Sequence, residues 1–247
     1  MRKALFFVTE DFGFVSHRIP MAKAVASCGF DVVVVAHENP KKSAAKTIKS
    51  LGFKFVPLSI RRGSTRVLGE FKAMVKFWLI LRKERPNLLF NVAFKPIIYG
   101  SLCARLCKTK NIINLITGTG SLFIDSPCIK SKFICSLVKF CLRIVLGFKN
   151  QHLIVQNSDD FKAFGAYTGQ IRKIRGSGVD GLSPIPEPMG LKFTATFVGR
   201  MIKDKGVLEF IEAAKVLKSK GIRMLLVGSP DPENPSSLSE SLLVDLA

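Results

Sequence analysis

Short, mostly apolar runs of four to six residues alternate with longer segments of helical periodicity over residues 4–164 of this chain. The short runs are rich in Val, Ile, Leu and Phe, and such runs are typical of strands that are buried on both faces. Strand and helix in alternation predict βαβ units and a mostly parallel sheet, which is an α/β fold. The predicted strands are 4–8, 31–36, 53–57, 88–92, 111–116 and 153–156, and the predicted helices are 19–28, 41–51, 67–84, 96–107, 130–148 and 159–164.

A segment rich in Gly and Pro, RGSGVDGLSPIPEPMG, follows at 175–190 and is the natural domain boundary. Beyond it the pattern restarts with a strand at 193–198, a helix at 207–218, a strand at 224–227 and a short helix from Leu238. Two strands and two helices cannot close a second sheet that is covered on both faces. We therefore predict a complete Rossmann-like domain at 1–175, a linker at 176–192 and the incomplete beginning of a second Rossmann-like domain at 193–247.

The formal net charge is +20, and the excess lies entirely in the first predicted domain. Residues 1–175 contain 30 of the 38 Lys and Arg residues but only 9 of the 18 Asp and Glu residues. A field of this sign attracts nucleic acid, anionic lipid or phosphorylated substrates. Because no helix-turn-helix, RRM, KH or zinc signature is present, we expect no nucleic-acid partner.

We expect neither a secretory signal nor a membrane-spanning helix. Glu10 and Asp11 interrupt the first apolar stretch too early for a signal peptide. The longest run without charge, 111–124, is shorter than the roughly 20 apolar residues of a spanning helix. The six cysteines have neither paired CxxC spacing nor a nearby His, so we expect reduced thiols and no metal. These features favour a cytoplasmic protein.

Polar residues after the first predicted strand are the first candidates for a site, because ligands of doubly wound folds bind at the carboxyl ends of strands. In the segment TEDFGFVSHRIP we expect Gly13 to form a tight bend and Ser16 to cap the following helix. His17 and Arg18 are then expected to lie above the strand ends. A purely structural role for His17 is the alternative.

Two further strand ends contribute candidates. We expect Lys95 to end the fourth strand and to point into the same crevice, the alternative being an ordinary surface lysine. The loop after the fifth strand contains Thr117, Gly118 and Gly120, whose backbone N–H groups are suited to an anion or a sugar. This loop lacks the full GxGxxG pattern, which argues against a dinucleotide fingerprint.

The segment GRMIKDKG, 199–206, lies between a predicted strand and a predicted helix of the second domain. Arg200 and Lys205 are placed to reach a phosphate there, and Gly206 admits close approach at the helix start. A solvated basic turn is the alternative.

Two predicted helices, at 67–84 and 130–148, are both apolar and basic. Such helices can lie in a membrane interface, where apolar insertion and anionic lipid both contribute to binding. The alternative is a helix that covers the sheet and has a solvated basic edge.

The segments FVGRMIKDKGVLEFIEAAKVLKSKG and LLVGSPD resemble the start of the donor domain in the family-4 retaining glycosyltransferases, which have the two-domain GT-B fold. The segments SHRIPMAKAVASCGFDVVVVA, KPIIYGSLCARLCKTKNIINLITGTGSLF and RKIRGSGVD are similar to the acceptor domain and linker of that family. More narrowly, the chain is similar to bacterial enzymes that assemble polysaccharides or lipid-linked glycans.

The resemblance implies roles for matching positions. It places Arg200 and Lys205 on the diphosphate of a nucleotide-sugar donor and Gly13 in a loop that faces this donor. It places Ser16, His17, Arg18, Lys95 and the loop of Thr117, Gly118 and Gly120 on the acceptor side. The catalytic residue stays open, with His17 and Lys95 as the candidates. No metal or other cofactor is implied, since the nucleotide sugar is a co-substrate.

The implied reaction is transfer of a hexose or N-acetylhexosamine from a UDP-type sugar to an undecaprenyl-diphosphate-linked glycan. The implied location is the inner face of the cytoplasmic membrane, where the protein is peripheral and contacts anionic lipid. The family's paired glutamates, which contact the donor, are expected downstream of residue 247, so we expect the chain to be truncated and inactive alone. The alternatives are a second polypeptide that completes the donor domain, a non-catalytic remnant, a nucleotide-sugar epimerase and a basic nucleic-acid-binding protein.

Overall fold

The computed structural model describes residues 2–39, 43–60, 67–118, 129–178, 194–231, 234 and 236–246. The chain divides into two compact units, Met1–Asp180 and Gly181–Ala247. Most of the expected linker, 176–192, lies outside the described residues.

The first unit contains a seven-stranded sheet in the order β3-β2-β1-β4-β5-β6-β7, and every neighbouring pair is parallel. Phe6 of β1 is in register with Val34 of β2 on one side and with Phe90 of β4 on the other. The predicted α/β fold with a parallel sheet is therefore confirmed. The strands are β1 (Arg2–Glu10), β2 (Phe30–His37), β3 (Lys54–Pro57), β4 (Leu88–Val92), β5 (Asn111–Ile116), β6 (Gln151–Val155) and β7 (Ile171–Lys173).

Helices connect successive strands and cover both faces of this sheet. Helices α1 to α3 pack on one face, and α4 to α6 pack on the other, so that the inner strands β1, β2, β4 and β5 are largely buried from both sides. The helices are α1 (Asp11–His17), α2 (Ile19–Ser27), α3 (Ala45–Ser50), α4 (Val67–Glu84), α5 (Phe94–Leu106), α6 (Ile129–Leu146) and α7 (Ser158–Gly165).

Alternate residues of β1 divide the core between the two faces. Phe6 stacks on Phe90 at a centroid distance of 4.4 Å and meets Phe14 of α1 edge to face at 5.6 Å. Phe7 points the other way and stacks on Phe77 of α4 at 3.8 Å. Each fully buried Phe contributes roughly 1.5–3 kcal/mol, so these rings hold α1 and α4 to opposite faces.

A buried polar network crosses the middle of the sheet beneath α5. Asn91 Nδ2 donates to Asn114 Oδ1 over 2.9 Å, and Asn114 Nδ2 donates to Gln151 Oε1. The hydroxyl of Ser101 also donates to Gln151 Oε1, over 3.0 Å. Gly100 of α5 packs directly against this network, and a Cβ at this position would lie 2.0 Å from Asn91 Oδ1.

Several local predictions were wrong. The chain forms helix α1 directly after β1, so Gly13 is a helical residue instead of a tight bend. Ser16 does not cap α2, because its hydroxyl donates to the carbonyl of Phe12 within α1. Lys95 does not end β4, since α5 already begins at Phe94. Strand β7 was missed because three residues are too short to show a periodicity.

The second unit is a two-stranded parallel sheet with helices. It contains β8 (Thr194–Val198), a 3-10 turn (Lys203–Lys205), α8 (Val207–Leu217), a 3-10 turn (Lys218–Lys220), β9 (Arg223–Val227) and α9 (Glu240–Leu246). Its core contains Met201, Val207, Ile211 and Leu238. The strand-helix-strand-helix order is the predicted one, with boundaries that differ by one or two residues among the described positions.

Among the described residues, no helix is both long enough and apolar enough to cross a membrane.

Candidate functional site

Arg18 lies at the break between α1 and α2, above the carboxyl end of β1. Pro20 causes this break, because proline has no N–H and in a continuous helix its ring would clash with the carbonyl of Ser16. The chain therefore ends α1 at His17, turns at Arg18 with φ −121° and ψ −10°, and begins α2 at Ile19.

The Arg18 side chain is almost completely buried, with 4% of its surface exposed. Its Nη1 donates to Ser177 Oγ over 3.3 Å, and no carboxylate among the described residues lies within ion-pair distance. Burial lowers the pKa of the guanidinium from its ordinary value, since desolvation disfavours the charged form. A buried cation opposite a neutral hydroxyl has unused capacity for an anion.

Arg18 is one of the residues that line an open cleft of about 580 Å³. The lining residues follow the carboxyl ends of β1, β5, β6 and β7 and are His17, Arg18, Thr117, Gln156, Ser177 and Gly178. Gln156 Nε2 lies 3.5 Å from Ser177 Oγ, so this hydroxyl is shared by two donors. The described lining contains no acid and presents a charged guanidinium, an amide and hydroxyls, which are groups that bind phosphate or sugar.

The structure brings together part of the predicted acceptor side. His17, Arg18 and Thr117 line the cleft, whereas Gly13 and Ser16 lie earlier in α1 and are not among its lining residues. Gly118 follows Thr117 with φ +121°, a conformation that favours glycine. Gly120 lies outside the described residues.

Lys95 is not among the residues that line this cleft, and its side chain binds elsewhere. Its Nζ lies 2.8 Å from Glu70 Oε1, and Glu70 Oε2 accepts a hydrogen bond of 2.8 Å from the Tyr99 hydroxyl. Burial, together with this bond to the carboxylate, raises the pKa of Tyr99. The contact joins the first turns of α4 and α5, which is a structural role for Lys95.

Sequence reasoning missed Gln156, Ser177 and Asp11. Gln156 was taken as the last residue of a strand, and Ser177 as part of a linker. Asp11 was considered only as a charge, yet it is fully buried and accepts backbone N–H bonds from Phe12 at 2.8 Å and from Ala44 at 2.8 Å. An acid immediately after a buried strand is the signal that could have identified it.

In the second unit, Arg200 and Lys205 lie near the carboxyl end of β8. Arg200 Nη1 pairs with Asp231 Oδ2 at 2.5 Å, and this partner was not predicted. Lys205 is exposed in the 3-10 turn, and Gly206 adopts φ +81° at the start of α8. The basic pair therefore lies at a strand end and beside a helix start, where backbone N–H groups also favour anions.

The two strand ends of this unit approach each other closely. A Cβ at Gly228 would lie 1.7 Å from the carbonyl oxygen of Gly199, and Gly228 has φ +156°. The ladder continues past both strands, with bonds of 3.0 Å from Gly199 N to Val227 O and from Met201 N to Ser229 O. The approach fixes the backbone on either side of Arg200.

A helix-covered parallel sheet with a cleft at its carboxyl edge, followed by a second strand-helix-strand unit, is the arrangement of the GT-B class of glycosyltransferases. The chain belongs to the Glycosyl transferase 4-like family, which matches residues 3–157. The family resemblance predicted from the sequence is confirmed.

Two relatives act in glycan assembly. The chain is 26% identical, over 259 residues, to the N,N'-diacetylbacillosaminyl-diphospho-undecaprenol alpha-1,3-N-acetylgalactosaminyltransferase of Campylobacter jejuni, covering 94% of this chain and 66% of that protein. It is 24% identical, over 193 residues, to the capsular polysaccharide biosynthesis glycosyltransferase CapM of Staphylococcus aureus, covering 72% of this chain and 50% of the relative. The chain thus spans between half and about two thirds of the length of these relatives.

A solved structure shows the same fold. The sucrose-phosphate synthase of Thermosynechococcus elongatus superposes with a TM-score of 0.65 over 96% of this chain and 65% of that protein, at 15% identity.

Proposed function

We propose that this chain takes part in the transfer of a sugar unit from a nucleotide sugar of the UDP type to an undecaprenyl-diphosphate-linked glycan. The donated unit is a hexose or an N-acetylhexosamine, and no metal takes part. The protein acts as a peripheral protein at the inner face of the cytoplasmic membrane. The observation that carries this proposal is the buried Arg18 guanidinium, which lines an open cleft with no acid among its described residues.

The acceptor's diphosphate is assigned to this cleft. Arg18 supplies the charge, and Gln156 and Ser177 lie beside it as hydrogen-bonding groups. A diphosphate restores the solvation that burial removes from the guanidinium, and charge-assisted bonds to phosphate are stronger than bonds to a neutral hydroxyl. His17 is exposed and lines the same cleft, so it is the candidate for contact with an acceptor hydroxyl.

The donor's diphosphate is assigned to the second unit. Arg200 and Lys205 provide two cations near the end of β8, and the start of α8 adds backbone N–H groups. During transfer, negative charge builds on the leaving nucleoside diphosphate, and fixed cations stabilise it. The salt bridge to Asp231 is partly exposed and therefore weak enough to exchange for phosphate.

The test is a pair of binding titrations on each variant. A short-chain polyprenyl diphosphate sugar probes the first unit, and UDP probes the second. We expect Arg18→Ala to weaken the polyprenyl probe about tenfold or more and to leave UDP unchanged, since one charge-assisted contact is lost. Arg200→Ala and Lys205→Ala are expected to weaken UDP alone.

Arg172→Ala, an exposed arginine of β7, is the charge-matched control and should leave both titrations unchanged. Transfer of labelled sugar from UDP-hexoses and UDP-N-acetylhexosamines to the polyprenyl probe is then measured. Equal losses of both ligands in every variant would contradict the two-site assignment. Interconversion of UDP-sugars without transfer would indicate an epimerase instead.

A further inference from the structure

The outward face of α4 is apolar where an ordinary helix of this position is polar. Leu68, Phe71, Val75 and Leu79 recur at spacings of three and four residues and are exposed, Leu68 by 86% and Phe71 by 61%. We call these four residues the α4 stripe. The opposite face of the helix carries the buried Ala73, Phe77 and Leu81, which pack on the sheet. The stripe therefore faces solvent and contributes nothing to the core.

Helix α6 repeats this pattern. Phe133, Leu137, Phe140 and Ile144 recur at the same spacings and are exposed, Phe133 by 70% and Phe140 by 61%. We call these residues the α6 stripe. Leu142, Val145 and Leu146 are buried on the other side of the helix. Single exposed apolar residues are normal on a protein surface, but two helices that each expose a row of apolar side chains form a contiguous apolar patch.

Both stripes lie on one side of the first unit. Helix α5 packs against α4 and against α6, and all three helices cover the same face of the sheet. Between the stripes α5 exposes Leu102 and Leu106. The three outer faces together form one surface, which we call the α4–α6 surface.

Rows of cations flank each stripe. Lys72, Lys76 and Lys83 run beside the α4 stripe, and Lys132, Lys139 and Arg143 run beside the α6 stripe.

The three helices of this surface carry few acids of their own. Helices α5 and α6 contain no Asp or Glu, and both acids of α4 are already engaged. Glu70 binds Lys95 and Tyr99, and Glu84 is buried with Lys3 and Lys54.

We propose that the α4–α6 surface binds an anionic lipid bilayer, with Phe and Leu side chains in the interface and the Lys and Arg rows on lipid phosphates. This proposal rests on the proposed function in one respect, that the acceptor is lipid-linked. A surface that is apolar along its centre and cationic along its edges has the pattern of interfacial helices. A second copy of the chain would oppose like charges, which disfavours self-association through this surface.

The position of the surface suits delivery of such an acceptor. Helix α5 begins directly after β4, at the carboxyl edge of the sheet, and the bond between Lys95 and Glu70 places the first turn of α4 at the same edge. Leu68 and Phe71 therefore lie at the edge that carries the Arg18 cleft. An acceptor whose lipid stays in the bilayer can then present its diphosphate at this edge.

The experiment is vesicle flotation of the full chain. Vesicles of phosphatidylcholine with and without phosphatidylglycerol are compared, at low and high salt. We expect binding only with phosphatidylglycerol and release by salt. Phe71→Glu with Phe133→Glu should reduce the partition coefficient about tenfold or more, because two inserted rings are replaced by anions. Lys72→Glu with Lys76→Glu should give a similar loss.

Matched controls carry the same changes elsewhere. Lys46→Glu with Lys49→Glu alters two exposed lysines of α3, on the other face of the sheet. Val216→Glu alters an exposed apolar residue of the second unit. Both controls should float as the parent chain does. Melting temperatures of all variants identify any loss that is due to unfolding, and Phe71→Ser with Phe133→Ser replaces a variant that fails to fold.

Three results would overturn the proposal: equal flotation with both kinds of vesicle, unchanged flotation of the stripe variants, or a dimer in solution that only the stripe variants disrupt. Different results would contradict the proposed function. If UDP and the polyprenyl diphosphate sugar do not bind while flotation behaves as expected, the bilayer surface stands and the assignment of glycosyl transfer does not.

Discussion

Arg18 and Ser177, which are 159 residues apart in the sequence, meet through a hydrogen bond of 3.3 Å from Nη1 to Oγ. The contact joins the break between α1 and α2 to the segment that follows β7. It places a buried cation opposite a neutral group, and this combination is stable only because the rest of the first unit holds it in place.

Arg18→Met is expected to keep or raise the stability of the unliganded chain while it weakens binding of the polyprenyl diphosphate sugar about tenfold or more. The substitution removes a desolvated charge and keeps an unbranched side chain of related length, a change that often adds about 1 kcal/mol. Urea unfolding with and without the polyprenyl diphosphate sugar measures both effects. A loss of stability with retained binding would show that Arg18 is structural.

Glu84→Gln is expected to destabilise the first unit at neutral pH by about 2 kcal/mol, since a buried carboxylate loses charge-assisted bonds. Glu84 Oε2 lies 3.0 Å from Lys3 Nζ, and Oε1 lies 2.6 Å from Lys54 Nζ. Burial raises the pKa of this carboxyl, but the two lysines outweigh burial and hold it below its ordinary value of 4.5.

The lowered pKa of Glu84 sets how the stability of the first unit depends on pH. A lowered pKa in the folded state means that the stabilisation is complete above the unfolded value and is lost as pH falls through the folded one. The difference between parent and Glu84→Gln should therefore shrink below pH 4.5. Melting curves across this range check it, with the exposed Asp159→Asn as the control. A difference that is independent of pH would contradict the ionic role.

Gly100→Ala is expected to destabilise the first unit by about 2 kcal/mol or more, because the new Cβ would meet Asn91 Oδ1 at 2.0 Å in a fully buried network. Gly165→Ala is the matched change, since this helical glycine of α7 has open space around it and should be neutral or slightly stabilising. Equal unfolding midpoints for the two variants would show that Asn91 moves aside without loss.

Gly228→Ala is expected to open the end of the β8–β9 ladder. The Cβ would lie 1.7 Å from the Gly199 carbonyl, and φ +156° is unsuited to other residues. Hydrogen exchange should accelerate at the amides of Gly199 and Met201, and UDP binding should weaken with it. Gly221→Ala is the control, since Gly221 has φ +68° and open space around it. This substitution should cost about 1 kcal/mol of local strain and leave hydrogen exchange at these two amides and UDP binding unchanged.

Native-state alkylation should separate two cysteines. Cys28 is exposed, whereas Cys103 is buried and donates to the carbonyl of Met74. Burial raises the pKa of Cys103 to about 12, so little thiolate is present at pH values near neutrality. Iodoacetamide followed by mass spectrometry should label Cys28 in the folded chain and both residues in urea. Early labelling of Cys103 would indicate local opening between α4 and α5.

The fold of this chain could be predicted because its signals are local and continuous. A strand that is buried on both faces is mostly apolar along its length, and residues 4–8 and 32–36 show this without any knowledge of their partners. Pro20 and the helical periodicity of α4 are similarly visible in the sequence. Arg18 and Thr117 could be placed in the cleft because parallel strands bring their carboxyl ends to one edge.

Other features depend on distant partners and could not be predicted from the sequence. The burial of Arg18 requires Ser177, the pairing of Lys95 requires Glu70, and the Arg200 contact requires Asp231. Phe71 and Phe77 illustrate the limit most clearly, since both are aromatic residues of α4, yet one is exposed and the other stacks on Phe7. The amino-acid sequence alone determined the alternation of strands and helices. The tertiary structure decided which side of each helix is buried, because burial depends on neighbours that are remote in the chain.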